Sequence, residues 1–299
     1  MTTDETAAPD DSTAGKAGPL AFDTSVAHVA RMYDYILGGK DNYAVDRAAA
    51  EAWVKTDPGA AFSARENRRF LGRAVRYLAG EAKMRQFLDI GTGIPTAGNT
   101  HEVAQAIAPD ARVLYVDYDP IVLAHARTLL NSSEAGSTEY IDADLRDTDA
   151  ILERAGQFLD FSKPVAITLV AILHAIPDAD NPHAIVAKLL DAVPPGSYLA
   201  ATHLASDLIS QEAREGIEGL SGRAMQQRMT MRSRDQVARF FAGTELVEPG
   251  IVRVEEWRPD PGANGTEKSS MWAAVGRKRL LTAFLLVPAG VGAVRVACP

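Results

Sequence analysis

The sequence predicts an α/β fold with a mainly parallel sheet, and three observations support this prediction. Short apolar runs alternate with helical patterns between Gln86 and Leu204, which is typical of parallel strands covered by helices on both faces. A glycine pair and several aspartates follow the ends of these runs, where open α/β sheets bind ligands. The chain has 299 residues, of which 46% are hydrophobic, so it can form a sizeable core.

Charge and cysteine content exclude several classes of protein. The chain has 31 Lys and Arg against 39 Asp and Glu, a formal net charge of −8, which disfavours binding of long nucleic acid through bulk positive charge. Its one cysteine, Cys298, can form neither an intramolecular disulfide nor a cysteine-rich metal site. The six histidines show no compact ligand spacing, so we expect no bound metal. The low cysteine content favours a cytoplasmic location.

The first part of the chain is predicted to be a leader followed by a helical cap. Residues 1–22 are small, acidic and polar, and we expect them to be disordered. Residues 23–80 hold three helical patterns, over about 22–40, 47–55 and 63–78. We assign residues 23–279 to a single domain that begins with this cap. In the third pattern, four arginines lie opposite the apolar face and are interpreted as solvent-exposed: Arg65, Arg69, Arg73 and Arg76.

The α/β region begins at residue 86. Its predicted strands cover 86–90, 112–117, 138–142, 164–170 and 197–204, and its predicted helices cover about 100–108, 120–130, 147–158 and 181–192. A long helical insert is predicted over 206–243. Two further β-rich runs follow, over 246–257 and 269–278.

The last stretch, residues 280–299, forms an apolar tail whose role the sequence does not define. A membrane span needs about 20 apolar residues that are compatible with a helix. Pro288, two nearby glycines and Arg295 interrupt this stretch. We therefore expect a loosely packed or disordered tail rather than a membrane anchor.

The strongest local signal is the run Asp89-Ile90-Gly91-Thr92-Gly93-Ile94-Pro95-Thr96, which follows the first predicted strand. The two glycines permit a tight turn and let a ligand approach the backbone. Thr96 stands where a dinucleotide fingerprint requires its third glycine, and Pro95 lengthens the turn. A buried carboxylate at Asp89 suits a ligand that carries positive charge or hydroxyl donors.

Acidic residues also follow the second and third predicted strands. Asp117 ends the second strand, a suitable place for a carboxylate that accepts both hydroxyls of a ribose. Asp119 precedes Pro120, a common way to begin a helix, and we interpret it as structural. After the third strand, Asp142 and Asp144 are both candidates to accept from an exocyclic amine such as that of adenine, and we favour Asp144.

Taken together with Leu173-His174-Ala175-Ile176-Pro177-Asp178, these residues resemble the class I S-adenosylmethionine (SAM)-dependent methyltransferases. A narrower resemblance, over about residues 24–278, is to an actinobacterial family of such enzymes formerly listed as a domain of unknown function. It rests on the motifs at 33–42 (YDYILGGKDN), 65–68 (RENR) and 91–96 (GTGIPT).

The resemblance implies a Rossmann-like fold with a seven-stranded sheet in the order 3-2-1-4-5-7-6, and SAM as cofactor. It also implies that the N-terminal cap and the 206–243 insert cover the cofactor and build the acceptor pocket. The cofactor contacts predicted in this way are Tyr33, Asp89, Gly91, Thr92, Gly93, Pro95, Asp117, Tyr118, Asp144 and Leu145.

Methyl transfer is an in-line displacement that depends mainly on alignment, and a base is needed only when the acceptor carries its proton. His174 follows the fourth strand and is our candidate base; a histidine that only packs against the next loop is the alternative. His203 is a weaker candidate. Tyr33 and Tyr35 could cover the cofactor, although Tyr33 also fits an apolar helix face.

The acceptor is predicted to be a small, partly apolar molecule that is methylated on oxygen or nitrogen. Three methionines of the insert, Met225, Met229 and Met231, could form its adaptable wall; packing in the core explains them equally well. Two other functions are alternatives. One is a SAM-binding protein without catalysis, and the other is an NAD(P)-dependent oxidoreductase, which the missing third glycine and Asp89 disfavour.

Overall fold

Strands rich in Val, Ile, Leu and Tyr form one mixed sheet. The computed structural model describes residues 24–95, 98–129, 136–263 and 265–280. The strand order is β3-β2-β1-β4-β5-β8-β6, and the short β7 pairs with β8. Within the described residues the strands are β1 (Gln86–Ile90), β2 (Arg112–Asp117), β3 (Ser137–Asp142), β4 (Ala166–Leu169), β5 (Tyr198–Leu204), β6 (Thr244–Leu246), β7 (Val252–Arg253) and β8 (Met271–Lys278).

The sheet confirms the predicted topology. Strands β1 to β5 are parallel, and β8 is antiparallel to both of its neighbours, β5 and β6. The β-rich run predicted over 246–257 is not one strand. Pro249 and Gly250 separate β6 from β7, because proline has no amide hydrogen for a ladder and Gly250 has a φ of +87°.

Helices cover both faces of the sheet and separate its two cores. Phe87 packs on one face of β1 and Leu88 on the other, because successive side chains of a strand point in opposite directions. The α-helices of the described residues are α1 (Val29–Ile36), α2 (Ala44–Thr56), α3 (Ala60–Gly80), α4 (Thr100–Ile107), α5 (Pro120–Leu129), α6 (Thr148–Phe158), α7 (Pro182–Asp191), α8 (Gln211–Ala224) and α9 (Arg234–Ala238).

The first helix begins later than the apolar periodicity predicts. The chain before α1 instead pairs with the end of the insert: Ala27 and Met225 form a parallel bridge, and Gln226 N donates to Ala27 O at 2.9 Å. The insert itself is not one long helix, since α8 ends at Ala224 and α9 begins at Arg234.

The three methionines between these helices belong to the core. Met225, Met229 and Met231 are each less than 10% exposed and pack in the same cluster as Trp53 and Leu204. Packing in the core therefore explains these three methionines, and they do not form a wall of the cavity.

One of the four arginines on α3 is buried, which corrects the solvent-exposed interpretation at that position. Arg73 is 5% exposed and donates to the carbonyls of Trp257 (3.0 Å) and Val254 (2.5 Å). Arg65, Arg69 and Arg76 are exposed as predicted. Arg73 thus joins the cap to the segment that follows β7.

The predicted leader over 1–22 and most of the apolar tail lie outside the described residues. No helix in the part of the chain that the structure describes is long and apolar enough to cross a membrane. The predicted structural role of Asp119 is confirmed, because its Oδ1 accepts from Ile121 N at 2.8 Å at the start of α5.

Candidate functional site

A cavity of about 510 Å³ lies at the carboxyl edge of the parallel strands, beneath the helical cap. The loops after β1, β2, β3 and β4 form its floor, and α1 and α3 form its roof. Its volume is within the range of small-molecule sites. Five aspartates and three arginines line it: Asp34, Asp57, Asp89, Asp117, Asp144, Arg68, Arg146 and Arg228.

Two glycines shape the loop after β1, and each does so for a different reason. Gly91 has a φ of +77°, and a Cβ at this position would lie 2.7 Å from Ile172. Gly93 has a φ of +65°, yet no atom lies within 4 Å of its Cβ position. Gly91 is therefore required by packing, whereas Gly93 leaves open space over its backbone inside the cavity.

Asp117 ends β2 and organises the turn beside it. Its Oδ1 accepts from the amides of Tyr118 (2.8 Å) and Asp119 (3.0 Å), and its Oδ2 accepts from Gly93 N at 2.8 Å. Burial raises the pKa of this carboxyl, and the three amide hydrogen bonds oppose the rise. The carboxylate thus links the loops after β1 and β2 at the cavity surface.

Asp89 is also at the cavity, but threonine hydroxyls engage both of its oxygens. Thr168 Oγ1 on β4 donates to Oδ1, and Thr100 Oγ1 on α4 donates to Oδ2, each at 2.6 Å. Burial raises the pKa of Asp89. The carboxylate joins β4 and α4 to β1, a structural role that the sequence motif does not reveal.

The loop after β3 brings Asp144 and Leu145 to the cavity, whereas Asp142 is exposed and does not line it. Arg146 binds both oxygens of Asp144, at 3.0 and 2.5 Å. Although partial burial opposes the change, these bonds lower the pKa of Asp144. Tyr118 lines the same end, and its hydroxyl accepts from Gln227 at 2.6 Å.

The cap is joined to the sheet by a chain of hydrogen bonds through Tyr33. Its hydroxyl donates to Ala64 O and accepts from Asn67 Nδ2, both at 2.9 Å. Burial raises the pKa of Tyr33 to about 12. Asn67 Oδ1 accepts in turn from Thr202 Oγ1 on β5 at 2.7 Å. Tyr33 is therefore both a cavity residue and part of the packing between α1 and α3.

The glycine turn after α1 is shaped around a carboxylate. Asp34 Oδ2 accepts from Asp41 N (2.9 Å) and from Asn42 Nδ2 (2.8 Å). A Cβ at Gly39 would lie 1.9 Å from Asp34 Oδ1. The YDYILGGKDN motif thus forms a compact, hydrogen-bonded turn that positions α1 over the cavity. Tyr35, by contrast, donates to the exposed Glu51 at 2.8 Å and does not line the cavity.

His174 lines the cavity, and its Nδ1 has no hydrogen-bond partner among the described residues. Burial and the nearby Arg232 lower the pKa of His174 to about 3. Its neighbour His203 lies behind it, outside the cavity lining. His203 Nδ1 faces Leu204 O at 2.8 Å, so Nδ1 carries the proton and Nε2 accepts from Arg232 at 2.8 Å.

The structure therefore brings together nearly all of the residues predicted from sequence. Pro95, Tyr35 and His203 are the exceptions, because they do not line the cavity. Sequence reasoning missed Asp57, Asn67, Ser63 and Ser270, which reach the same cavity from distant parts of the chain. No cluster of possible metal ligands exists among the residues searched, those that the structure describes.

The chain can be compared with known protein families. The model of a family described as S-adenosyl methyltransferase matches residues 16–279, which is most of the chain. The chain belongs to this methyltransferase family. Its cofactor is accordingly SAM. No functionally curated protein matches the chain.

Two solved structures are similar to this methyltransferase over most of its length. A DUF574 family protein from Streptomyces avermitilis shares 45% sequence identity, with a TM-score of 0.81 over 86% of this chain and 99% of that chain. A proposed methyltransferase from Thermobifida fusca shares 42% identity, with a TM-score of 0.78 over 86% of this chain and 97% of that chain.

The cavity of the methyltransferase fits such a cofactor. Open space over the Gly93 backbone would be filled by a side chain at that position. A buried carboxylate at Asp117 can accept from hydroxyls, and buried Leu145 provides an apolar surface for a flat ring. Neither the loop after β1 nor the aspartates beside it favour a dinucleotide over SAM.

Proposed function

We propose that this SAM-dependent methyltransferase modifies a small molecule on an oxygen or nitrogen atom. The observation that supports this most is the roof over the cavity. Met32, Tyr33 and Asn67 from the cap and Gln227 from the insert line the space opposite the β1 loop. An acceptor must therefore fit between the cap and the sheet, which suits a small molecule better than a folded macromolecule.

The charge of the cavity supports the same proposal. Its lining holds five aspartates and only three arginines, and one of the arginines, Arg146, is already paired with Asp144. Binding of long nucleic acid depends on clustered cations that replace the counterions of phosphate groups. An acidic lining opposes such contacts, so RNA and DNA are poor acceptors.

The proposed cofactor contacts follow the carboxyl ends of the first three strands. Asp117 would accept from the ribose hydroxyls, Asp144 and Leu145 would hold the adenine, and Gly91, Thr92 and Gly93 would place their backbone against the ligand. Bound SAM supplies an electrophilic methyl group on a sulfonium. The chain aligns the acceptor with that group and excludes water, which together can supply much of the rate.

We propose a positioning role for His174 in place of the candidate base that the sequence suggested. With a pKa lowered to about 3, the imidazole is neutral near pH 7 and its conjugate acid is unfavourable. A neutral imidazole has one acceptor nitrogen, which can accept a hydrogen bond from an acceptor O–H or N–H. This contact would direct a lone pair of the acceptor atom toward the methyl group.

Labelled methyl transfer tests the proposed acceptor class. The purified protein is incubated with methyl-labelled SAM and a methyl-depleted cell extract, which is then separated into small-molecule, protein and RNA fractions. We expect the label mainly in the small-molecule fraction. Label mainly in tRNA, rRNA or protein would overturn the proposal, and an extract without added enzyme controls for background.

A further inference from the structure

Three polar side chains meet at the end of the cavity that lies under α2 and α3. Asp57 precedes α3, Ser63 lies on its first turn, and Ser270 precedes β8. Ser270 Oγ donates to Asp57 Oδ2 at 2.9 Å, and the hydroxyls of Ser63 and Ser270 are 3.1 Å apart. All three line the cavity and are at most 9% exposed. We call them the Asp57 triad.

The hydroxyl protons of the Asp57 triad have a fixed direction. Carboxylate oxygens only accept, so the Ser270 proton points to Asp57. Ser63 must therefore donate to Ser270, while its own oxygen accepts from Ser270 N at 2.9 Å. Both hydroxyl protons are directed toward the carboxylate and away from the cavity. What the triad offers a ligand is therefore acceptor capacity and negative charge, with no donor.

Asp57 has no cationic side chain within ion-pair distance among the residues that the structure describes. Its Oδ1 accepts only from Gly59 N, at 3.0 Å. Burying a carboxylate without a paired cation is unfavourable. A ligand that carries a cation would supply the missing charge and form charge-assisted hydrogen bonds.

The triad lies far from the proposed adenine and ribose contacts. Asp117 ends β2, Ser270 precedes β8, and three strands separate β2 from β8 in the sheet. At about 4.8 Å between neighbouring strands, the two ends are roughly 19 Å apart. The triad is therefore at the end of the cavity that remains for the acceptor.

The surroundings of the triad are apolar. Trp53, Leu71 and Met271 line the same end of the cavity, and all three are less than 10% exposed. This environment favours an acceptor with an apolar body. It also strengthens any charge interaction with Asp57, because little water is present to screen it.

We infer that the acceptor is an amine, whose protonated nitrogen binds the carboxylate of Asp57. This inference rests on the proposed function, because it names the chemical class of the small-molecule acceptor. Asp57 acts as a specificity-determining residue; Ser270 orients its Oδ2, and Ser63 orients Ser270. An acceptor with a carboxylate or phosphate would be repelled from the same place.

Cation-exchange chromatography of the labelled products tests the inference without any variant. The small-molecule fraction from the labelling experiment is applied to a strong cation exchanger at pH 7. Methylation of another oxygen or nitrogen atom of the same molecule leaves the positive charge of the bound ammonium group in place. We expect the enzyme-dependent label to be retained, and label in the flow-through would overturn the inference.

Variants test the role of Asp57 itself. Asp57→Asn keeps the shape of the side chain and removes its charge, so the labelling rate at limiting extract should fall at least tenfold and partly recover at high extract concentration. Binding of S-adenosylhomocysteine, measured by calorimetry, should be unchanged, which shows that the variant is folded. Ser270→Ala should give a smaller loss of the same kind.

A matched control separates local from general effects of charge. Asp191 is exposed at the end of α7 and does not line the cavity, so Asp191→Asn should label as fast as the wild type. Full activity of Asp57→Asn would overturn the inference while leaving the proposed function intact. Label confined to RNA or protein would instead overturn the proposed function, whatever the charge of the products.

Discussion

Thr202 on β5 donates a hydrogen bond of 2.7 Å to Asn67 on α3, and both side chains are essentially buried. Asn67 Nδ2 in turn donates to the hydroxyl of Tyr33 on α1, and Thr202 Oγ1 also accepts from Ala171 N at 2.8 Å. The helical cap is therefore held to the sheet by polar contacts whose geometry is fixed. This arrangement positions the roof of the cavity.

Removing Asn67 should weaken the attachment of the cap. Asn67→Ala leaves the hydroxyl of Thr202 and that of Tyr33 each short of a buried partner, and such groups cost about 1–3 kcal/mol. We expect the free energy of unfolding in urea to fall by about 2–3 kcal/mol. In a double-mutant cycle with Thr202→Val, the two losses should be less than additive; strict additivity would contradict the link.

Asp117→Ala should lower the affinity for S-adenosylhomocysteine at least tenfold. The change would remove the proposed charge-assisted hydrogen bonds to the ribose, each worth roughly 1.5–3 kcal/mol. Because Asp117 also holds Gly93 N and Tyr118 N, an analogue without ribose hydroxyls serves as control in the calorimeter. That analogue should bind wild type and variant more nearly alike, and an equal loss for both ligands would disprove the ribose contact.

Gly93→Val should abolish binding of SAM, because the side chain would occupy the open space over the loop. Gly98→Val is a matched control: Gly98 also has a positive φ (+79°) and open space, but it does not line the cavity. Both variants carry backbone strain, so their melting temperatures should fall alike, whereas only Gly93→Val should lose SAM in calorimetry. Normal SAM binding by Gly93→Val would refute this placement.

Arg73→Met should destabilise the protein much more than Arg76→Met. Arg73 is buried, donates to two backbone carbonyls and lies 3.6 Å from the buried carboxylate of Glu66, and breaking a buried ion pair typically costs about 3–5 kcal/mol. Arg76 pairs with Asp260 at the surface, where a pair is worth about 1 kcal/mol or less. Urea unfolding of the two variants measures the difference, and similar losses would show that Arg73 is not needed.

Stability should fall in acid partly through His174. Its folded pKa of about 3 lies below the ordinary value, so below about pH 6.5 the unfolded state binds a proton that the folded state does not. The contribution is therefore complete at neutral pH and is lost as the pH falls toward 3. Between pH 7 and pH 5, the wild type should lose about 2 kcal/mol more than His174→Gln in urea unfolding. Equal losses of stability in the two proteins would contradict a buried neutral imidazole at His174. His183→Gln, at a less buried site, should alter the pH dependence of stability less than His174→Gln does.

The parallel part of the fold was predictable because it is encoded locally. Each strand, its turn and its helix are adjacent in sequence, and the predicted glycine loop and Asp117 lie where the alternation places them. The split of the last β-rich run into β6 and β7 was not predicted, although Pro249 and Gly250 signal it. Helical periodicity also overestimated the length of α1, because the residues before it pair with the chain at Met225 and so do not form a helix.

The end of the cavity at the Asp57 triad was not predictable in the same way. Asp57 and Ser63 come from the cap and Ser270 from the start of β8, so no spacing along the chain joins them. Arg73 was misinterpreted because a charged residue opposite an apolar face is usually solvated, and the carbonyls that explain its burial belong to the distant Val254 and Trp257. Polar contacts between distant segments leave no periodic signal.

The position of β8 has a consequence for biosynthesis. This strand lies between β5 and β6 although it follows both in sequence. During translation at roughly 5–20 residues per second, the edge of β5 stays unpaired for several seconds after it has emerged. An open edge of this kind can pair with other chains, so the nascent protein is exposed to aggregation at β5 until β8 is inserted. Ser270 directly precedes β8, so the Asp57 triad is completed only when this strand is inserted.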